Sequence, residues 1–335
     1  MLKMKFIFYY TLMMSIFMII TMNNWMSMWL SMELNLYSFI TLLMNKNFLN
    51  NNNKIMLKYF FIQFLSSIMF LISNLMMNYL NILNILFFNN LLMLSMMMKL
   101  GMYPFHHWFI KLMTNIKWMN CFILSNIQKI IPLMIMMFML KLNKLFIIIN
   151  IMNSILSTLN GLNQINLKKI MAYSSINHLS WLMIILLFME KLLIKYLMIY
   201  MTINLMIFKW FNLFNMTMLN QIYNFKMNNL LKLIFMMNIL SLGGLPPMMG
   251  FLMKWFTMFI MKNNFLILIN ILILMINSML TLAYYFSITL PMLMMYNKML
   301  FFNKLYKLNN NNFNFIILIT IYLSMFFIMY NNIMN

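Results

Sequence analysis

Apolar runs of roughly 20 residues, the length that crosses a bilayer core as an α-helix, recur along this 335-residue chain. Short segments rich in asparagine and lysine separate them. The pattern predicts an all-α polytopic membrane protein that forms a single transmembrane domain over 1–335. Hydropathy and the polar breaks predict about eleven spans: 6–22, 25–44, 55–77, 91–110, 120–140, 143–162, 170–188, 192–214, 232–261, 265–290 and 313–330.

Two of these spans carry the same glycine and proline motif. LGMYP at 100–104 matches LGGLP at 242–246, an offset of 142 residues. Interrupted spans at corresponding positions of two halves are typical of transporters built from inverted repeats with broken helices. The motif predicts repeat halves over about 1–140 and 141–290, with an extra C-terminal helix over 313–330.

Composition indicates a membrane protein of organellar origin. Charged residues make up 7% of the chain, whereas soluble domains carry about a quarter. The sequence has 51 methionines, two alanines and no valine, arginine or aspartate. AT-rich codons explain this bias if AUA is read as methionine, as in animal mitochondria. We therefore expect the mitochondrial inner membrane.

The basic charge of the chain has a topological interpretation. A net charge of +21 could indicate nucleic acid, but such sites need basic residues clustered on one wet face. Here lysines punctuate the spans, so we expect lipid contact and no nucleic acid. With eleven spans, the loops on the N-terminal side hold twelve lysines and those on the other side five. The positive-inside rule then places the N-terminus in the matrix and the C-terminus in the intermembrane space.

Three lysines lie deep within predicted spans: Lys99, Lys129 and Lys254. A lysine at mid-bilayer costs a few kcal/mol or more and tends to mark a proton or ion path. Nearly all of the helix-breaking residues lie beside these three: Gly101, Pro104, Pro132 and residues 243–250. Each proline should free the carbonyl four residues earlier, at Leu100, Gln128, Leu242 and Gly243. The alternative is that codon bias writes lysine everywhere and the fold tolerates it.

Other lysines and histidines within the spans have simpler interpretations. Lys58, Lys209 and Lys232 lie near span ends, where the side chain can reach the headgroups. His106 and His107 beside Trp108 fit an interfacial anchor.

Two further groups could take part in proton transfer. Glu33 lies near the middle of its span and could pair with a lysine, either functionally or as static packing. His178 has Ser174, Ser175 and Asn177 around it and could be a proton relay or a hydrogen-bonded core residue. The single cysteine, Cys121, excludes a four-thiolate cluster within the chain, so we expect no metal or cofactor on its own residues.

Six segments together resemble one family, mitochondrial NADH dehydrogenase subunit 2, which is similar to the antiporter-like subunits of respiratory complex I. They are WLSMELN at 29–35, KYFFIQ at 58–63, KLGMYPFHHW at 99–108, QKIIP at 128–132, GLNQINLKKIMAYSSINHLSW at 161–181 and GGLPPMMGFLMKW at 243–255. The chain departs from the family at Lys168, where arginine is frequent, and at His107.

The resemblance implies a proton-translocating subunit that couples NADH oxidation and ubiquinone reduction to proton pumping. It implies Glu33 and Lys99 as a pair that controls proton loading, Lys129 as the central relay and Lys254 as the terminal lysine. NADH, FMN, iron-sulfur clusters and ubiquinone would be bound by other subunits. Neighbouring antiporter-like subunits of the membrane arm would be its partners. The alternatives are a stand-alone cation/proton antiporter and a purely structural scaffold.

Overall fold

A computed structural model describes residues 2–21, 24–44, 50–77, 82–139, 144–223, 229–246, 248–260 and 265–294. Over these ranges the chain is helical apart from turns and one isolated antiparallel bridge between Asn166 and Met218. The helices are α1 Leu2–Thr21, α2 Trp25–Leu43, α3 Asn50–Met77, α4 Ile82–Leu100, α5 His107–Asn115, α6 Trp118–Phe122, α7 Gln128–Met139, α8 Lys144–Leu162, α9 Leu167–Leu186, α10 Glu190–Leu213, α11 Leu219–Tyr223, α12 Asn229–Gly243, α13 Met249–Ile260 and α14 Phe265–Met294.

Five of the described helical stretches are long and apolar enough to cross a membrane. They are Lys54–Met77, Trp118–Met139, Leu145–Leu162, Glu190–Leu213 and Leu266–Leu293. The polytopic, all-helical class is therefore confirmed, whereas the number eleven is not established by these helices. The predicted span 313–330 lies outside the described residues.

Hydroxyl side chains inside these helices bond back to their own backbone. Ser31 Oγ donates to the carbonyl of Met28 at 2.6 Å, and Ser154 Oγ donates to that of Ile151 at 2.8 Å. In lipid every polar group needs an internal partner, and this local bond supplies one. Large apolar side chains such as Phe6 and Phe61 remain exposed on the outside of the bundle, where lipid or protein can cover them.

The first predicted broken span is interrupted at Gly101, as expected. Helix α4 ends at Leu100, Gly101 has φ +67°, and α5 begins at His107. A side chain at Gly101 would bring its Cβ to 2.9 Å from the Cβ of Phe109, so only glycine fits here without a shift. The Trp108 indole donates a 3.2 Å hydrogen bond to the carbonyl of Met98 and so satisfies an end carbonyl of α4.

The second predicted broken span is interrupted after Gly243. Helix α12 ends there, Gly244 has φ +83°, and α13 begins at Met249. A side chain at Gly250 would overlap the carbonyl oxygen of Ser241, so α13 starts directly against the end of α12. Helices α12 and α13 therefore meet at this break, where the backbone groups at the helix ends are accessible to side chains of the bundle.

A third irregularity was not predicted. Residues Ile123–Ile127 form a π-helical segment between α6 and α7, whereas Pro132, which was singled out in the sequence, lies inside the continuous helix α7. The Asn126 amide donates to the carbonyl of Phe122 at 3.2 Å, and Asn204 donates to Asn126 Oδ1 at 3.0 Å. The second bond fixes the π segment against α10, the helix that carries Asn204. Such segments occur frequently at functional sites.

Candidate functional site

Lys99 lies at the end of α4, in the first helix break, and is buried. Its ammonium contacts Met32 Sδ at 3.2 Å, and its carbonyl accepts from Gln63 Nε2 at 3.3 Å. Glu33, the neighbour of Met32, is also buried, and the two charges interact through space. Oε1 of Glu33 has no hydrogen-bond partner among the described residues. Glu33 and Lys99 are therefore near neighbours in the described structure without a direct ion-pair contact.

One cavity connects Lys99 to Lys129. Both lysines line it together with the polar side chains of Asn35, Gln63 and Gln128, and its volume is about 20 Å³, which is room for about one water molecule. Gln128 Nε2 donates to Asn35 Oδ1 at 3.0 Å, which ties the start of α7 to α2. A polar space with several hydrogen-bonding groups can hold water. Two of the predicted site lysines thus share one wettable cavity.

Lys129 is the second residue after the π segment, in the first turn of α7, and is 3% exposed. Its ammonium donates a 3.0 Å hydrogen bond to the carbonyl of Ser175 and lies 5.2 Å from the centre of the Phe109 ring. Phe109 belongs to α5, directly after the break in the first interrupted span. No carboxylate pairs with this lysine in the part of the chain that the structure describes, so carbonyl, aromatic ring and cavity form its surroundings.

His178 lies one turn after Ser175 on α9. Its Nδ1 is 2.8 Å from the hydroxyl of Tyr196, and its ring centre lies 4.8 Å from that of Tyr200. The ring also faces the carbonyl of Leu242, one of the four that the prolines were predicted to free. Lys129 contacts Ser175 one turn before this histidine, and Lys254 lies near Trp181 one turn after it, so along α9 His178 lies between the two contact points.

Lys254 lies on α13, behind the second break, and is buried. Its ammonium donates a 2.8 Å hydrogen bond to the carbonyl of Gly243 and lies 5.9 Å from the Trp181 ring. Gly243 is another carbonyl predicted to be free. Ser175, His178 and Trp181 are spaced three residues apart, so they lie on one face of α9. Lys129 contacts the first of them, and Lys254 lies near the third.

Two simpler interpretations of the sequence were wrong. Lys232 is 5% exposed, so it is packed within the bundle instead of extending to the headgroups, while Lys58 is exposed as expected. His106 and Trp108 are buried at the first break, and only His107 of that group is exposed, so the three do not form an interfacial anchor. The indole of Trp108 satisfies a backbone carbonyl there.

The cavity-lining amides were missed as site residues. Asn35, Gln63 and Gln128 are neutral, so they cost less in a membrane than lysine and attract less attention. In a chain this rich in asparagine, Asn35 could not be separated from compositional bias. The available signal was their position, since each lies in a segment that carries the family resemblance. Among the described residues, no group of His, Cys, Asp and Glu could hold a metal ion.

The bundle has two broken helices with a buried lysine at each break, and a cavity joins the first of these lysines to Lys129. This arrangement is the one expected of an antiporter-like membrane protein. Residues 22–282 match the transmembrane family described as NADH:quinone oxidoreductase/Mrp antiporter. NADH-ubiquinone oxidoreductase chain 2 of Locusta migratoria is 35% identical over 88% of this chain and 86% of its own length.

Solved structures agree in fold. Respiratory complex I from Thermus thermophilus with bound aureothin contains a chain that matches with a TM-score of 0.74 at 18% identity, covering 83% of this chain and 67% of that one. The Mrp complex from Dietzia sp. DQ12-45-1b gives a TM-score of 0.72 at 14% identity, over 82% and 57%. The chain belongs to the NADH:quinone oxidoreductase/Mrp antiporter family, among the NADH-ubiquinone oxidoreductase chain 2 proteins.

Proposed function

We propose that this chain is a proton-translocating membrane subunit of mitochondrial complex I, in which Glu33, Lys99, Lys129, His178 and Lys254 form the proton path. The observation that carries the proposal is the sequence of buried groups: Lys99 and Lys129 share a cavity, and on α9 His178 lies one turn from both Ser175, which Lys129 contacts, and Trp181, which lies near Lys254. NADH, FMN, iron-sulfur clusters and ubiquinone belong to other subunits of the assembly. Neighbouring antiporter-like subunits and lipids cover its exposed apolar faces.

The surroundings of the buried lysines fit proton transfer better than a static ion pair. The ammonium groups of Lys129 and Lys254 contact carbonyls and rings and can lose a proton at moderate cost, because no carboxylate among the described residues contacts them. Glu33 places a second ionisable side chain near Lys99 without direct contact, so a charge that arrives at one group acts electrostatically on the other. A proton arriving at one end of the row therefore alters the next site.

We also infer the arrangement in the membrane. Residues of about 1–140 and 141–290 form the inverted repeats, because each half contains one helix break with a positive-φ glycine next to a buried lysine. The N-terminus lies in the matrix, on the side richer in lysine. The C-terminus then lies in the intermembrane space.

The decisive experiment is Lys129→Met in the assembled complex. Methionine keeps the length and apolar stem but removes the titrating group. Assembly and NADH oxidation by artificial acceptors should persist, while proton pumping coupled to ubiquinone reduction falls strongly. Lys191→Met, at an exposed lysine, is the matched control and should pump normally. Normal pumping by assembled Lys129→Met would eliminate the relay role.

The competing function is a free-standing cation/proton antiporter. The relatives with 30% identity or more favour the complex I subunit, since they carry the name NADH-ubiquinone oxidoreductase chain 2. The two functions can be distinguished by the mass and redox activity of the native detergent-solubilised particle that contains this chain. A small particle without NADH oxidation would support the antiporter.

A further inference from the structure

The backbone N–H of Tyr103 lies in the first helix break, between the end of α4 at Leu100 and the start of α5 at His107. Because it belongs to neither helical ladder, it needs a partner from elsewhere in the bundle. Asn153 on α8 supplies that partner, since the Tyr103 N–H donates to Asn153 Oδ1 at 3.1 Å. The side chain of Asn153 is 1% exposed, so the acceptor comes from the interior of the bundle.

The nitrogen of the same amide bonds to α9. Asn153 Nδ2 donates a 3.0 Å hydrogen bond to the carbonyl of Ile176. Turning the amide over would break both bonds, because a backbone N–H only donates and a backbone carbonyl only accepts. One buried side chain therefore joins the first break to α9 in a single allowed orientation.

The bond to α9 is made beside the contact of Lys129. Ile176 directly follows Ser175, whose carbonyl accepts from the Lys129 ammonium at 3.0 Å. Successive residues of an α-helix lie about 100° apart around its axis, so Lys129 and Asn153 hold α9 from different sides. Any shift of the break against α9 has to stretch one of the Asn153 bonds, and any shift of α9 at this level moves the carbonyl that Lys129 binds.

Asn150, one turn earlier on α8, makes a similar bond that does not reach the break. Its Nδ2 donates to the carbonyl of Ser180 on α9 at 3.1 Å, whereas its Oδ1 has no hydrogen-bond partner among the described residues. Both asparagines are buried. The two residues differ in the bond to Tyr103, which makes Asn150 a matched control for Asn153.

We propose that Asn153 is a positioning residue of the proton path. It holds the first helix break and α9 in register, and so keeps the carbonyl of Ser175 within reach of the Lys129 ammonium. Asn153 itself exchanges no proton. The role rests on the proposed function, since the register affects pumping only if Lys129 belongs to the path.

The test measures the number of protons pumped per NADH oxidised by the assembled complex. Asn153→Leu keeps a side chain of similar size and removes both hydrogen bonds. We expect NADH oxidation by artificial acceptors to persist, while the ratio of protons pumped to NADH oxidised falls. Asn150→Leu loses a bond between α8 and α9 but leaves the break attached, so it should keep the wild-type ratio.

Experimental maps of the complex provide the second measurement. The native map should show both Asn153 bonds, and the Asn153→Leu map should show the carbonyl of Ser175 beyond hydrogen-bonding distance of Lys129 Nζ. Absence of either Asn153 bond from the native map overturns the role, even if Asn153→Leu fails to assemble. An unchanged bond from Lys129 to Ser175 in the variant map does so as well.

The pumping ratios can also overturn the role. A wild-type ratio in the assembled Asn153→Leu complex would do so, as would an equal fall in Asn150→Leu, which would indicate general loosening of α8. The proposed function is tested separately. If Lys129→Met abolishes pumping while Asn153→Leu keeps the wild-type ratio, only the positioning role fails. If Lys129→Met pumps normally, the relay itself is wrong.

Discussion

Lys254 donates a 2.8 Å hydrogen bond to the carbonyl of Gly243, the last residue of α12. The bond joins the two halves of a broken helix, because Lys254 lies on α13. A cation at a helix C-terminus is favoured by the partial negative charge of the unsatisfied carbonyls there. The break thus supplies backbone oxygen to an ammonium that would otherwise be isolated in the membrane.

Gly244→Ala should disturb this bond directly. The residue has φ +83°, and a Cβ there would lie 2.9 Å from Lys254 Nζ. The left-handed backbone costs a non-glycine residue about 1–2 kcal/mol, which a large bundle tolerates. We expect the complex to assemble with reduced thermal stability and with a strong loss of proton pumping. Wild-type pumping in the assembled variant would mean that Lys254 does not need this position.

Gly250→Ala provides the contrast, because its Cβ would overlap the carbonyl oxygen of Ser241, which is backbone and cannot move aside. This variant should prevent assembly of the subunit altogether. Native gels and subunit abundance in membranes would measure it. A stable Gly250→Ala complex would show that α12 and α13 can separate at the break.

The proposed topology predicts opposite labelling of two lysines at either end of α9. Lys169 lies in its first turn, and the exposed Lys191 follows its last turn. An impermeant amine reagent added to intact mitoplasts should modify Lys191 and leave Lys169 unmodified, whereas inverted membranes should give the reverse. Mass spectrometry of the labelled peptides assigns the sites. Labelling of Lys169 from the outer face would reverse the orientation.

The sequence predicted the two helix breaks well because glycine and proline act on the backbone where they stand. Gly101 and Gly243 each mark the point at which a helix ends, with Gly101 and Gly244 at positive φ. The carbonyls of Leu242 and Gly243 were predicted to be free, and they face His178 and Lys254. Local rules of this kind need no knowledge of tertiary packing.

Features that depend on neighbouring helices were predicted poorly. Position along its own helix suggested that Lys232 reaches the headgroups, but packing of the bundle buries it. The π segment at Ile123–Ile127 carries no distinctive residue type, and its support comes from Asn204 on another helix. The link from Gln128 to Asn35 likewise joins residues 93 apart in the chain.

Lys168 should act as a positioning residue for α5. Its ammonium donates to the carbonyl of Ile116 at 2.7 Å and lies 5.7 Å from the Trp118 ring centre. A cation at a helix C-terminus contributes about 0.3–1 kcal/mol when exposed and up to ~2 when partly buried. Lys168→Met should lower the thermal stability of the complex by this modest amount, as measured by thermal inactivation of NADH:ubiquinone activity. Lys168→Arg keeps the charge and the ring contact and should restore it; equal losses in both variants would exclude the charge as the cause.

The last prediction concerns the charge of Lys129 independently of its size. Lys129→Arg keeps a cation beside the carbonyl of Ser175 and over the Phe109 ring, and a guanidinium suits both contacts. The fold should therefore accept it, with the cavity toward Lys99 accommodating the larger head group. A guanidinium stays protonated in proteins, so it cannot hand its proton to His178. We expect an assembled complex that oxidises NADH with artificial acceptors and pumps as poorly as Lys129→Met. If Lys129→Arg pumps normally while Lys129→Met does not, the position needs a fixed positive charge and not proton release, and the relay would have to bypass it.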